Sequence, residues 1–367
     1  MMTYFATKSE FNFKKANKTT KNRAVLAPLT HNMSDKNGDL SEHEIAWLNK
    51  CAEGGFGMLI TAATLVSPTG RSWQGQPSLL NKHQEKQFKQ IAQVTKKHNT
   101  LAIVQLHHGG IRTEQKSSNC QPVAPSIIKK DQNNVNGARA LSHIEIESLI
   151  DNFVAAAKRA CHAGMSGVEI HAAFNFLLSN FTNPILNKRT DNWGGSFKSR
   201  AKILFEIVIK IRKQLPRDFI IGVRLSPENY AHFEGIDINE QIKLSNSLAD
   251  LDIDYIHMSL HDAFKKPNHE TQTSQTLLEW IKTRLNPDIP LIIAGKIATN
   301  KQANKVINLG ADFVAIGKSA IGNPDWVNKI NSGKSLIKAP YSQSHLAQIG
   351  FTKPSIKYLR SINGLVS

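Results

Sequence analysis

Val168-Glu-Ile-His-Ala-Ala-Phe-Asn-Phe-Leu177 and, shortly after it, Asn187-Lys-Arg-Thr-Asp-Asn-Trp-Gly-Gly-Ser196 are the stretches on which the fold turns. The first opens on a short apolar run, Val168–His171, that reads as a buried strand. Further runs of the same kind are Ala24–Ala27, Met58–Ala62, Leu101–Leu106, Ile220–Leu225, Tyr255–Met258, Leu291–Ala294 and Phe313–Ile316. Strands that are apolar along their whole length suit a sheet covered on both faces. Eight of them, counting the first, is the number that closes a parallel (β/α)8 TIM barrel.

The segments between the runs have helical period. Ile203, Leu204, Ile207, Val208, Ile211 and Leu215 recur at three and four and form one face, as do Leu149, Ile150, Phe153, Ala157 and Ala160. His83 to His98 places Phe88, Ile91 and Val94 on one side of a lysine- and glutamine-rich helix. Gly109–Gly110, Gly164, Gly194–Gly195 and Gly310 fall at element boundaries, where positive φ or close approach is useful. Extra length gathers in Gln115–Arg139 and Phe174–Phe197, and barrels of this kind build their sites in loops after strands. The expected organisation is one barrel domain over residues 1–367, with a core at 22–330 and a C-terminal helical extension at 335–367.

Composition bounds the function. Hydrophobic residues at 40% and charged residues at 20% suit a globular chain with a full core. A formal net charge of +17 could mark a nucleic-acid surface, an anionic membrane or phosphorylated ligands. The lysines, however, are spread along the chain without a basic block, and no nucleic-acid-binding motif is present, so a dispersed solvated surface is the reading and no nucleic-acid partner is expected. Cys51, Cys120 and Cys161 show neither CxxC nor Cys/His metal spacing, which implies reduced thiols, no metal and a cytoplasmic setting. Met1 to Asn22 is polar and lysine-rich, unlike a secretory signal. No apolar run is long enough to span a membrane.

Four further motifs accompany the opening ones in order: Asn22-Arg-Ala-Val-Leu-Ala-Pro-Leu-Thr30, Gln105-Leu-His-His-Gly-Gly-Ile-Arg112, Gly222-Val-Arg-Leu-Ser-Pro227, and the pair Ala294-Gly-Lys296 and Ile316-Gly-Lys318. The set resembles the Old Yellow Enzyme family of NADH:flavin oxidoreductases and FMN-dependent ene-reductases. The resemblance implies FMN held non-covalently at the C-terminal mouth of the barrel and reduced by NADH or NADPH. It assigns flavin contacts to Pro28, Leu29 and Thr30 at the end of strand one, and to Ala63, or Ala62 beside it, after strand two. Thr30 would bond the flavin carbonyl. Gln105, with amide donors and an acceptor, would match the pyrimidine edge. Arg224 would set a cation beside the flavin N1 and C2 carbonyl and favour the reduced form. Ala294, Gly295, Lys296, Gly317 and Lys318 would grip the phosphate through backbone N–H groups and charge. Most relatives carry arginine where Lys318 stands. Asn187, Arg189, Thr190 and Asp191 read as a brace for the loop over the mouth.

The pattern breaks above the flavin. In ene-reductases of this family two side chains three residues apart hydrogen-bond the substrate carbonyl, and a tyrosine two further on protonates the product. Here His171 fills the first position, but Phe174 and Phe176 stand at the other two, and neither can donate. Losing one positioned donor costs roughly 10²–10³ in rate, and losing a general acid roughly 10²–10⁴, so slow enone reduction is expected. Tyr230, His257, His261, His31, Asn32, His107 and His108 are the other donors near predicted strand ends, with Tyr230 included in the candidate catalytic set beside His171, Phe174 and Phe176. The expected function is an FMN-dependent oxidoreductase passing hydride from NAD(P)H to a small electrophilic acceptor, an activated alkene, quinone or similar. The alternative is a flavin-binding barrel with decayed ene-reductase activity that acts as an interaction protein. A homo-oligomer is possible, with Arg360 as a C-terminal arginine offered to a neighbour.

Overall fold

The computed structural model describes residues 5–131, 137–229, 234–268 and 272–367. Eight parallel strands form the barrel: β1 (Ala24–Leu26), β2 (Met58–Ile60), β3 (Leu101–His107), β4 (Gly167–Ala172), β5 (Ile220–Leu225), β6 (Tyr255–Ser259), β7 (Leu291–Ala294) and β8 (Phe313–Ile316). Each pairs with its successor, and β8 closes the ring on β1 through Val314 opposite Ala24 and Ile316 opposite Leu26. Strand two is shorter than the apolar run predicts. It stops at Ile60, and Thr64–Leu65 resumes the pairing with Leu106 and His107, leaving Ala62 and Ala63 in the break.

Helices wrap the ring: α1 (Glu42–Glu53), α2 (Lys82–Lys96), α3 (His143–His162), α4 (Phe197–Gln214), α5 (Ile238–Ala249), α6 (Leu277–Lys282) and α7 (Asn300–Asn308). Their starts are set by side-chain caps. Ser142 and Glu145 form a reciprocal capping box on α3, and Ser196 caps α4. The faces foreseen from periodicity are the buried ones, Leu149, Ile150, Phe153, Ala157 and Ala160 on α3 and Ile203 to Ile211 on α4.

Inside the ring the side chains sort by height. The N-terminal end is apolar: Met58, Ile103, Ile220, Tyr255, Ile292 and Phe313 pack with Phe13 and Ala16 of an antiparallel hairpin, Phe11–Phe13 with Lys18–Thr20, which plugs the floor. Phe13 stacks on Phe313 with centroids 5.3 Å apart. The Tyr255 ring crosses the lumen over Gly222, where a Cβ would lie 2.0 Å from the ring, so only glycine fits. Toward the C-terminal end the inward positions turn polar, with Gln105, Glu169, His171, Arg224 and His257 all buried.

After β8 come α8 (Lys318–Gly322), α9 (Trp326–Asn331), α10 (Gln343–Gln348) and α11 (Lys353–Arg360). The last two return to the mouth. Phe351 packs edge-on to Trp47 of α1 at 5.4 Å, Lys50 donates to the Ile349 carbonyl at 3.1 Å, and the Ser355 hydroxyl donates to the His31 carbonyl. This docks α11 on the loop that leaves β1. No helix among the described residues is long and apolar enough to cross a membrane.

Phe13 is 1% exposed, so Phe13→Ala should open a cavity in the floor and cost about 3–5 kcal/mol. A urea titration should show a lower midpoint; an unchanged midpoint would mean that the hairpin does not plug the barrel.

Candidate active site

At the C-terminal ends of β1, β5, β6, β7 and β8 lies a cavity of about 550 Å³, a size ordinary for a cofactor site. Pro28, Leu29, Arg224, Ala294, Gly295, Lys296, Gly317 and Lys318 all line it, together with Ala27, Ser259, Leu260, Ala315 and Ser319. Its walls are mostly small and apolar. Gly317 caps α8, and a Cβ there would meet nothing closer than Leu29 at 3.6 Å, so this turn borders open space. Lys296, in the left-handed region at φ 51°, pairs with Asp262 at 3.5 Å, whereas Lys318 makes no ion pair among the described residues.

Thr30, Ala63 and Gln105 do not line this cavity. Ala63 sits in the break of strand two, its carbonyl accepting from Gln76 at 3.0 Å. Gln105 is held instead by Glu169 of β4, which also feels the charge of Arg224 and which the sequence left without a role although it stands in Val168-Glu-Ile-His171. Its carboxylate, fully buried, accepts from Gln105 Nε2 at 2.6 Å, from His257 Nδ1 at 2.9 Å and from the Tyr255 hydroxyl at 3.2 Å. Burial works against its charge, but His257, Arg224 and Gln105 outweigh burial and hold its pKa below the usual carboxylate range. A carboxylate only accepts, so the amide nitrogen of Gln105 must face it. The Gln105 Oε1 is thereby turned away and makes no hydrogen bond among the described residues. Arg224 donates to the Ser259 hydroxyl at 2.7 Å and lies 5.1 Å from the centre of the Phe174 ring.

Next to this cluster His171, His107, Phe174 and Phe176 pack as a group of rings. His107 stands edge-on to Phe176 at 4.3 Å, and His171 to Phe176 at 5.0 Å. The His171 Nδ1 accepts from the Ala173 amide at 3.3 Å, which puts the ring proton on Nε2. Burial, then His107, Arg224 and Arg112, drive its pKa well below the ordinary histidine value, so it is a neutral donor. Phe174 and Asn175 have φ of 58° and 53°, two consecutive side-chain-bearing residues in a region that L residues seldom adopt. That turn aims the Phe174 carbonyl at Arg112, whose Nη1 donates to it at 2.8 Å while the guanidinium lies 4.4 Å over Phe176. Arg112 closes the Gln105–Arg112 motif but was given no role from sequence.

Of the other donors named from sequence, His261 lines the cavity, whereas His31, His108 and His257 do not gather here. The His31 ring is packed against Trp47 and Glu44. His108 is spent on the Gly110 amide and Thr69. His257 is held by Glu169. Tyr230 lies outside the described residues. Arg360 is exposed, while Tyr358 in the same helix lines a second, polar cavity with Asn32 and Trp73. Arg189 is the foreseen brace: it grips Asp191 at 2.6 Å and the carbonyls of Pro125 and Leu141.

The family model for the NADH:flavin oxidoreductase / NADH oxidase family matches residues 11–336. This chain belongs to that family. A probable NADH-dependent flavin oxidoreductase of Bacillus subtilis is 34% identical, over 88% of this chain and 87% of its own length. An NADPH dehydrogenase of Clostridium acetobutylicum is 30% identical, over 85% and 91%. The solved Old Yellow Enzyme homologue of Zymomonas mobilis superposes with a TM-score of 0.78 at 27% identity, covering 91% of this chain and 94% of that one. Some other relatives are longer proteins, of which this chain spans about a third. The family uses FMN and takes hydride from NADH or NADPH. The residues present fit FMN: a slot with small apolar walls, a buried cation at one end, and glycine turns with Lys318 at the other.

Two outcomes follow for this NADH:flavin oxidoreductase. Glu169→Gln keeps the shape but lets the Gln105 amide flip, so FMN should bind about tenfold more weakly, a loss of one hydrogen bond's order. Fluorescence titration of the apoprotein with FMN measures it, and equal affinity would dismiss the link.

Burial lowers the pKa of His31 to about 4 and of His108 to about 3, and pushes His107 and His171 down as well. The unfolded chain then binds protons that the folded one refuses, so stability is complete above about pH 6.5 and drains away below it, by at most about 1.4 kcal/mol per pH unit per histidine. Glu44, raised to about 7 by burial, favours the fold as pH falls and offsets part of this. Urea midpoints should be lower at pH 5 than at pH 7.5; a flat profile would contradict buried neutral imidazoles.

Proposed function

We propose that this flavoprotein passes the hydride it takes from NADH or NADPH to a small electrophilic acceptor, an activated alkene, quinone or similar. Bound FMN supplies the two-electron chemistry. The observation that carries the reading is the convergence, at one end of the barrel, of the cavity ended by Arg224 and by Gly317 with Lys318, and of the neutral His171 ring on the neighbouring strand β4.

The residues divide the work. Arg224 would offset negative charge arriving on the ring. Glu169 would keep Gln105 turned so that its carbonyl oxygen meets a donor on the pyrimidine edge. His171, neutral and donating from Nε2, would polarise an acceptor carbonyl without changing protonation state. Phe174 and Phe176 would press a flat acceptor toward the ring and exclude water. With one positioned donor in place of two, a rate lower by about 10²–10³ is expected on acceptors that rely on the pair. No feature among the described residues favours the reading as a decayed, purely binding barrel.

The test is anaerobic reduction of the isolated protein. NADH or NADPH should bleach its visible flavin absorbance under argon, and an acceptor panel of enones and quinones should restore it. Absence of FMN from the purified protein, or a bound flavin that neither nicotinamide bleaches, would end this reading.

A further inference from the structure

We propose that a further cavity, beside the phosphate end of the flavin slot, takes the adenosine 5′-phosphate half of FAD, so that this protein binds FAD as well as FMN. The inference rests on the flavin-reductase reading above and extends the ligand of that site.

This cavity measures about 410 Å³, an ordinary size for a small-molecule site. Ala298, Lys318 and Ser319 line both it and the flavin slot, so the two meet along one wall. The opposite wall is formed by residues 334–341, which follow α9. That segment is pinned in place. The buried Asn323 side chain accepts from the Ile337 amide at 2.9 Å and donates to the Ile337 carbonyl at 2.9 Å. The Tyr341 hydroxyl donates to the Lys318 carbonyl at 3.2 Å, and its ring sits so close to Gly322 that a Cβ there would lie 2.1 Å away. The cavity is therefore preformed, and its outer wall is tied to the lysine that the flavin phosphate would meet.

The lining selects the ligand. Lys318, Lys334 and Lys338 all face this space, and none of the three makes an ion pair among the described residues. No acidic side chain among the described residues lines it. Unpaired ammonium groups around one concavity attract phosphate. Much of the remaining wall is apolar, with Leu336, Ile337 and Tyr341, and Ile337 stays 43% exposed. Apolar surface left open beside cations suits a flat ring that carries a phosphate, which is a nucleotide. FAD is the flavin whose phosphate bears one. Its second phosphate would leave the first at Lys318, and Lys334 and Lys338 line the cavity into which it would lead.

The FMN-loaded protein is dialysed against an equimolar mixture of FMN and FAD, and the bound flavins are then released and separated by chromatography. The wild type should hold both, with at least about one FAD for every ten FMN. Lys334→Ala combined with Lys338→Ala removes two phosphate contacts, and Ser335→Trp, at an exposed position on the same wall, fills the cavity. Each change should lower the bound FAD-to-FMN ratio at least about tenfold while total bound flavin per chain is kept. A wild type that takes FMN alone, or a ratio that either change fails to lower tenfold, would overturn the proposal. Variants that lose FMN as fully as FAD would overturn it too, by making the lysines a general attraction for flavin. Calorimetric binding of AMP to an FMN-loaded wild type that refuses FAD would overturn it in favour of a separate nucleotide. A wild type that holds neither flavin would fail the parent reading as well, which separates the two failures.

Discussion

A carboxylate buried in the lumen of a barrel must be paired, and the pairing of Glu169 organises what surrounds it. Its hydrogen-bond partners come from two other strands, Gln105 on β3 and Tyr255 and His257 on β6, and the charge of Arg224 on β5 supports it. Removing one member of such a cluster would leave a charge stranded at a cost of several kcal/mol. The demand for partners therefore fixes rotamers that a looser, apolar lumen would leave free. Gly222 belongs to the same constraint, since without its bare backbone the Tyr255 phenol could not cross to the carboxylate. The apolar plug below and the small-walled cavity above are separated by this one polar tier.

Around the mouth the electrostatics are lopsided. Arg112 and Arg224 both act on His171, and no carboxylate lies among the groups that shift it, while the histidines there are driven neutral by burial. The region is consequently rich in hydrogen-bond donors whose protonation does not vary near neutral pH. Such a surround favours groups that gain negative charge during reaction and lends little help to groups that gain positive charge. Phe174 and Phe176 intensify this by keeping the dielectric low.

Much of this was legible in the sequence, and the reasons differ by feature. The strands were readable because a doubly covered sheet demands unbroken apolar runs; Ile220–Leu225 and Leu291–Ala294 match residue for residue. Strand two was overread because Thr61-Ala62-Ala63 continues the composition of a strand while bending out of the ladder. Gly295, Lys296, Gly317 and Lys318 were visible because glycine before a cation at a strand end is a local signal. Glu169 was hidden in plain sight: a lone acid in an apolar run gives no hint of which distant strands will meet it. His31 and His108 looked like donors because sequence places them near strand ends but not which way their rings turn. The docking of α11 was out of reach altogether, since Ser355 and the His31 carbonyl that it meets lie far apart in the sequence and nothing local announces the contact.

The return of α11 to the loop after β1 has a temporal meaning. On the ribosome the segment bearing Thr30 emerges well before α11, and domains assemble as synthesis proceeds. A nascent barrel closes β8 onto β1 and can take up its cofactor before α11 arrives. Maturation would then come in two stages, cofactor capture followed by completion of the wall, with the second governed only by how fast one short helix finds Trp47 and the His31 carbonyl.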